Sequence, residues 1–314
     1  MKTNISSTGI AYTVNKDRAT CQIVGIGDFD GKELTVPEEL DGYKVKSIAK
    51  EAFRGCASLV SAEICGGIES IGAEAFAGCE GLMRVKISDT VSEIGWGAFL
   101  DCASLEDISI GNGVTEIGAK AFCGCRGRAN IPAKTVLIGE QAFCGFSDIR
   151  VDPDNKHYTS LDGCLYTKSG KTLLQYATGK ETPSFTVPDT VTAIGSFAFS
   201  GAVRLSAVRF GEKLKTVGSN AFNGCTALWA ANLPNSVETI EDSAFFGCTS
   251  LSAVSVAKDT DIGRGAFGNC PKLPCIRRRG KRPLWKKLLL GKIQKPDSSV
   301  CECKGEHWSI KFWF

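Results

Sequence analysis

The dipeptide Ala-Phe recurs along most of this chain, with phenylalanines at 53, 76, 99, 122, 143, 199, 222, 245 and 267. The intervals are 23, 23, 23, 21, 56, 23, 23 and 22. A period of this length is the signature of a stacked repeat, in which each unit is too small to bury its own apolar face and does so only against its neighbours. Aligning on the phenylalanines exposes the whole unit. Glu74-Ala75-Phe76-Ala77-Gly78-Cys79 leads to Leu82-x-x-Val85-x-Ile87, then Val91-x-x-Ile94-Gly95, then the next Ala98-Phe99. The same string runs through Leu105-x-x-Ile108-x-Ile110, Leu205-x-x-Val208-x-Phe210, Leu228-x-x-Ala231-x-Leu233 and Leu251-x-x-Val254-x-Val256.

Each part of the unit carries a structural expectation. Leu-x-x-Val-x-Ile ends in apolar alternation, which suits a short strand with one buried face. Strands are expected near Leu59, Leu82, Leu105, Leu205, Leu228 and Leu251. Pro37, Pro132, Pro188 and Pro234 directly follow a strand's last apolar residue. Proline ends a strand there because it has no amide to offer the ladder. Val-x-x-Ile-Gly reads as a second extended segment, and Ala-Phe-x-Gly-Cys as a helical turn that closes the coil. Stacking should gather the phenylalanines into one column and the strand leucines into another.

The string Leu-x-x-Val-x-Ile-Pro-x-x-Val-x-x-Ile-Gly-x-x-Ala-Phe-x-x-Cys resembles the BspA-like, or Treponema pallidum-type, leucine-rich repeat, over roughly residues 34 to 274. The resemblance implies a right-handed solenoid, mainly β with short helical turns, and a parallel sheet on its concave side. It also implies a bacterial cell-surface or secreted protein with an adhesive or host-interaction role. Residues 1–33 are expected to cap the first coil with a hairpin, Ile10–Val14 against Cys21–Ile26. Residues of about 151–186 fill the long interval with an insert of the kind such proteins carry. In it, Cys164–Thr167 and Thr172–Tyr176 read as strands joined by Lys168-Ser169-Gly170-Lys171.

Charge divides the chain. Up to Ile276 there are 26 Lys+Arg against 31 Asp+Glu, and from Arg277 onward 11 against 3. Residues 275–314 therefore read as a basic tail, led by Arg277, Arg278, Arg279, Lys281, Arg282, Lys286 and Lys287. Its functional reading is attachment to an anionic lipid surface or nucleic acid. The competing reading is a solvated tail, the commoner fate of a run of like charge, or an end cap with basic decoration.

Seven of the 15 cysteines (Cys56, Cys79, Cys102, Cys125, Cys225, Cys248 and Cys270) follow the repeat phenylalanine by three residues. That periodicity favours a column of buried thiols over a disulfide framework, because equivalent side chains in a stack point in parallel. Cys301, Cys303 and His307, with Cys275, are weak zinc candidates, since the spacing departs from the common Cys-x-x-Cys forms. Only 2 histidines occur, and no phosphate loop, zinc-protease or nucleophile-elbow string is present. No enzymatic activity, cofactor or metal is expected. No apolar core follows Lys2, so the sequence as read carries no signal peptide and points to the cytoplasm, whereas the resemblance points to the surface.

In a Leu-x-x-Val-x-Ile strand the residues flanking the central Val face outward. They give the candidate binding residues on the concave face: Arg84, Lys86, Asp107, Arg128, Arg150, Arg209 and Asn232. Arg84, Lys86, Arg128 and Arg150 read as a strip of like charge among acidic residues, and the face after the insert as small and neutral. Trp229 is a further candidate surface anchor. The leading expectation is a monomeric scaffold binding an unidentified protein, or a glycan, through this face. The alternative is a peripheral binder acting through the basic tail.

Overall fold

A computed structural model describes residues 2–17 and 19–279. The chain divides into two units, Met1–Gly170 with Leu174–Lys180, and Lys171–Leu173 with Glu181–Phe314. The described residues of each form a stack of β-coils.

In the first unit the wider, major sheet contains Glu33–Val36, Ser61–Ile64, Arg84–Ile87 and Asp107–Ser109, all parallel, and then a separate pair, Arg128–Ile131 with Asp148–Val151. A minor sheet of mostly two-residue strands forms the other wall, from Tyr43–Ile48 through Ser70–Ile71, Glu93–Ile94 and Glu116–Ile117 to Leu137–Ile138. The second unit repeats the plan. Its major sheet runs Ser184–Thr186, Ala207–Arg209, Ala230–Asn232, Ala253–Ala257 and Ile276–Arg279. The major-sheet strands begin two residues after the expected leucines, because each leucine turns into the core before the ladder starts.

The phenylalanines stack as the period requires. In the first unit Phe53, Phe76, Phe99, Phe122 and Phe143 follow one another with ring centroids 4.9, 5.1, 5.0 and 5.8 Å apart. In the second, Phe199, Phe222, Phe245 and Phe267 follow at 4.6, 4.8 and 5.1 Å. The glycine of Val-x-x-Ile-Gly sits where successive coils touch. A Cβ on Gly95 would lie 2.7 Å from the Ala73 nitrogen, and one on Gly118 would lie 2.6 Å from the Trp96 nitrogen.

The expected helical turn does not form, and the described residues contain no helix. The reason is a left-handed residue on each side of every repeat phenylalanine. Two positions before it stand Glu51, Glu74, Gly97, Lys120, Gln141, Phe197, Asn220, Ser243 and Gly265, all at φ between 54° and 60°. Two positions after it stand Gly55, Gly78, Asp101, Gly124, Gly145, Gly201, Gly224, Gly247 and Asn269, also at positive φ. A right-handed helix cannot continue through such residues. Their amides, and that of the phenylalanine between them, instead reach the next coil. Glu74 N donates to the Trp96 carbonyl at 2.8 Å, Phe76 N to Ala98 at 2.7 Å and Gly78 N to Leu100 at 2.7 Å. The third wall is thus a hydrogen-bonded ladder between coils, which offsets the cost of holding bulky residues left-handed.

At the start of the chain the expected hairpin forms, Ala11–Val14 against Thr20–Gly25, with an additional strand, Thr3–Ile5, outside it. Thr20–Gly25 pairs in parallel with Tyr43–Ile48 and so extends the minor sheet. In the insert, Cys164–Thr167 and Thr172–Gln175 are strands as expected, and Tyr158–Leu161 pairs antiparallel with the first of them. Asn155, fully buried, fastens the insert. Its amide nitrogen donates to the Pro132 and Thr135 carbonyls at 2.9 Å, and its oxygen accepts from the His157 and Tyr158 amides at 2.8 Å.

Candidate functional site

The outward residues of the major sheets are held in register by the parallel ladders. In the first unit one column runs Glu33, Ser61, Arg84, Asp107, and its neighbour runs Thr35, Glu63, Lys86, Ser109. The separate pair of strands sets Arg128 beside Asp148 and Asn130 beside Arg150. All the candidate residues here are exposed. Their charges alternate, however, and form no strip of like charge. Lys86 Nζ lies 2.8 Å from Glu63 Oε1, which raises the ammonium pKa. Arg150 Nε lies 2.8 Å and Arg128 Nε 3.9 Å from Asp148 Oδ2. Arg84 stands in register with Asp107. Exposed pairs of this kind add little stability, so they remain available to a partner.

The break in this sheet has a cause in the sequence. Cys102 precedes the strand residue Asp107 by five positions, but Cys125 precedes Arg128 by only three. The shorter coil does not ladder onto Asp107–Ser109. A shallow cleft of about 330 Å³ opens beside the break, lined by Ile110, Asn130, Pro132, Arg150 and Pro153 among others.

In the second unit the outward columns are Ser184, Ala207, Ala230, Ala253 and Thr186, Arg209, Asn232, Ser255, Arg277. Arg209, Asn232 and Arg277 are exposed, and Ser255 Oγ donates to Asn232 Oδ1 at 3.1 Å. Trp229, 55% exposed, immediately precedes Ala230. The face after the insert is therefore not neutral.

This arrangement also corrects the reading of the tail. Arg277, Arg278 and Arg279 belong to the last described strand of the major sheet and do not lie in a separate segment. Arg278 turns inward, where Nη1 donates to the carbonyls of Lys258 at 2.8 Å and Thr260 at 3.0 Å, and burial lowers its pKa. Arg279 donates to the Leu233 carbonyl. Leu273-x-x-Ile276, three residues after Cys270, is the repeat signal that marks this strand. Lys281, Arg282, Lys286, Lys287, Cys301, Cys303 and His307 lie outside the described residues. Among the described residues no group of three or more His, Cys, Asp or Glu is placed to hold a metal ion, and Cys275 is a half-buried free thiol.

The seven repeat cysteines are free thiols, and all but the half-buried Cys56 are buried. They do more than fill apolar slots. Cys79, Cys102 and Cys125 donate to the carbonyls of Phe53, Phe76 and Phe99 at 3.1 Å, and Cys225, Cys248 and Cys270 to those of Phe199, Phe222 and Phe245 at 3.1 to 3.2 Å. One pair departs from the expectation that stacked cysteines stay apart. Cys123 and Cys144, each directly after a repeat phenylalanine, are disulfide-bonded with Cα atoms 4.6 Å apart. Both are half-buried, whereas the thiols deeper in the coil are committed to a carbonyl. In native protein the six buried repeat thiols should react slowly with a thiol reagent, and the half-buried Cys56, Cys65 and Cys275 before them. Peptide mapping without reductant should recover Cys123 linked to Cys144. A link between Cys79 and Cys102 would overturn this assignment.

Comparison with known proteins agrees with the geometry. A family profile described as BspA type Leucine rich repeat region matches residues 32–150 and 176–279 in 6 copies. The pneumococcal vaccine antigen PcpA is similar in structure, with a TM-score of 0.69 and 21% identity over 88% of this chain and 81% of that one. A leucine rich cell surface protein from Faecalibacterium prausnitzii gives a TM-score of 0.58 and 24% identity over 91% and 97% of the two chains. At these identities the likeness speaks for the fold. A search of curated proteins found no match.

Proposed function

Because the chain belongs to the BspA-type leucine-rich-repeat family, we propose that it is a non-enzymatic scaffold that binds a protein partner on the outward face of its major sheets, the side expected to be concave. One observation carries this reading. Side chains of consecutive coils stand in fixed register on rigid parallel strands, so a partner meets them without ordering the backbone first. Display outside the cytoplasm is part of the same reading. The Cys123–Cys144 bridge supports it, since such bonds persist in oxidising compartments, as does the cell-surface description of the F. prausnitzii protein.

The test is capture of partners from surface-protein extracts by the full chain and by variants with one altered face. Arg84→Glu with Lys86→Glu should slow association more than it speeds dissociation for any partner that uses the first unit. Ala207→Trp with Ala253→Trp should block one that uses the second. Glu93→Lys with Glu116→Lys alters the minor sheet and should change nothing. Capture lost only with the minor-sheet variant would sink the reading.

A further inference from the structure

The major sheets of the two units differ in one respect that bears on the partner. On the first unit every outward cation has a carboxylate in register or bonded to it: Lys86 with Glu63, Arg84 with Asp107, Arg128 and Arg150 with Asp148. On the second unit the outward residues of the described major-sheet strands include no Asp or Glu. Arg209 and Arg277 are exposed there, and among the described residues neither forms an ion pair. Asn232 and Ser255 lie between them in the same column, already hydrogen-bonded to one another. Beside that column stand Ala207, the buried Ala230 and Ala253, whose methyl groups leave low relief.

We infer that the major sheet of the second unit binds an extended acidic polypeptide segment laid across its strands, with two carboxylates seated on Arg209 and Arg277. The spacing selects the ligand. Arg209 and Arg277 are three strands apart, which at about 4.8 Å per strand is about 14 Å. An extended peptide advances about 3.4 Å per residue and alternates its faces, so residues i and i+4 lie about 14 Å apart on the same side. The residue at i+2 then faces Asn232 and Ser255, which together offer a donor and an acceptor to a hydroxyl or amide side chain. The recognised pattern is acidic, any, polar, any, acidic. A nucleic-acid strand fits less well, because it carries a phosphate at every nucleotide and calls for a continuous basic track with several stacking rings. Here Arg209 and Arg277 stand three strands apart, Arg279 beside them is bonded to the Leu233 carbonyl, and Trp229 is the one exposed tryptophan in the described part of the second unit.

This inference rests on the major sheet being the binding face, and the experiment separates the two. Fluorescence anisotropy of the full chain is measured with a labelled peptide Gly-Thr-Glu-Thr-Ser-Thr-Glu-Thr-Gly. The same peptide with both Glu replaced by Gln, and one with the second Glu moved a residue closer, serve as comparisons. Both comparison peptides should bind about tenfold or more weakly, since each loses a charge-assisted contact. Arg209→Glu with Arg277→Glu should remove binding of the parent peptide, and the milder Arg209→Gln should weaken it, with folding checked by circular dichroism. Arg84→Glu with Lys86→Glu should leave it unchanged. Equal binding of parent and shifted peptides, or binding unaffected by the double reversal, overturns the proposal. Binding lost instead with Arg84→Glu and Lys86→Glu also overturns it, while leaving the major sheet as the binding face. Tighter binding of oligo-dT or a heparin oligosaccharide than of the peptide would assign the two arginines to that class.

Discussion

Phe99→Ala is expected to lower the unfolding free energy by about 3–5 kcal/mol, the range for truncating a buried aromatic side chain. The ring is fully buried. It is stacked on Phe76 at 5.1 Å and on Phe122 at 5.0 Å, with interplanar angles of 5° and 2°. Removing it takes away the apolar transfer term and both stacking contacts, and it leaves a hole that the flanking coils cannot easily fill. They are pinned to this coil on the third wall, where Phe76 N reaches Ala98 and Phe99 N reaches Ala121, each at 2.7 Å. Phe53→Ala should cost less, because Phe53 has a repeat ring on one side only.

The position of the defect matters as well as its size. A stack in which each coil contacts only its neighbours behaves as a row of units coupled through their interfaces. Phe99 belongs to the third of five phenylalanine coils in the first unit, so its loss weakens two interfaces in the middle of that row. Urea denaturation followed by tryptophan fluorescence should show an earlier midpoint, and a broadened or divided transition in place of one sharp step. A curve that overlays the wild type would show that the ring is not a buried member of the column.

What was legible in the sequence was whatever a coil must repeat with side chains. The Phe column, the alternating strand residues, the Ile-Gly contact and the cysteine slot each depend on one residue type filling one space, so they recur. The closing turn was not legible, because its conformation is held by main-chain hydrogen bonds between coils. The left-handed position before the phenylalanine is occupied by Glu74, Lys120, Gln141, Phe197, Asn220 and Ser243 in different coils. No composition rule identifies such a set. The strand at Arg277–Arg279 was obscured by its charge. A run of arginines reads as solvated, although Leu273-x-x-Ile276 continues the repeat and Arg278 fills the terminal apolar position by bonding to two carbonyls. The outward columns followed from strand alternation, but the pairing of Lys86, Arg128 and Arg150 depends on which coils adjoin, and that required the register.

Stability should fall steeply as the pH is raised above about 9, through the same thiols that the repeat places in the core. Contact with the Cys102 thiol and then burial push Cys79 up to about 12. Cys102 is raised by contact with Cys125, and Cys248 and Cys270 by contact with Cys225 and Cys248, with burial adding to each. In the unfolded chain a thiol titrates near 8.5. Below that value both states hold the proton and the thiols contribute nothing pH-dependent. Above it the unfolded chain releases protons that the folded chain keeps, so each such thiol costs about 1.4 kcal/mol per pH unit until its folded value is reached. The thiols of the column all act in the same direction, so stability falls progressively over this range. Denaturation midpoints measured under argon at pH 7, 8, 9 and 10 should be level over the first step and then drop. Lysine and tyrosine titration contributes to any such profile, so the diagnostic is Cys79→Ala. It should begin less stable at pH 7, through the lost packing and the lost bond to the Phe53 carbonyl, and then fall more gently above pH 9, because its own thiol is gone and Cys56 loses the contact that raises it. Midpoints that stay level to pH 10, or parallel slopes for the two proteins, would mean that the thiols ionise in the folded protein and that the core is wetter than its burial implies.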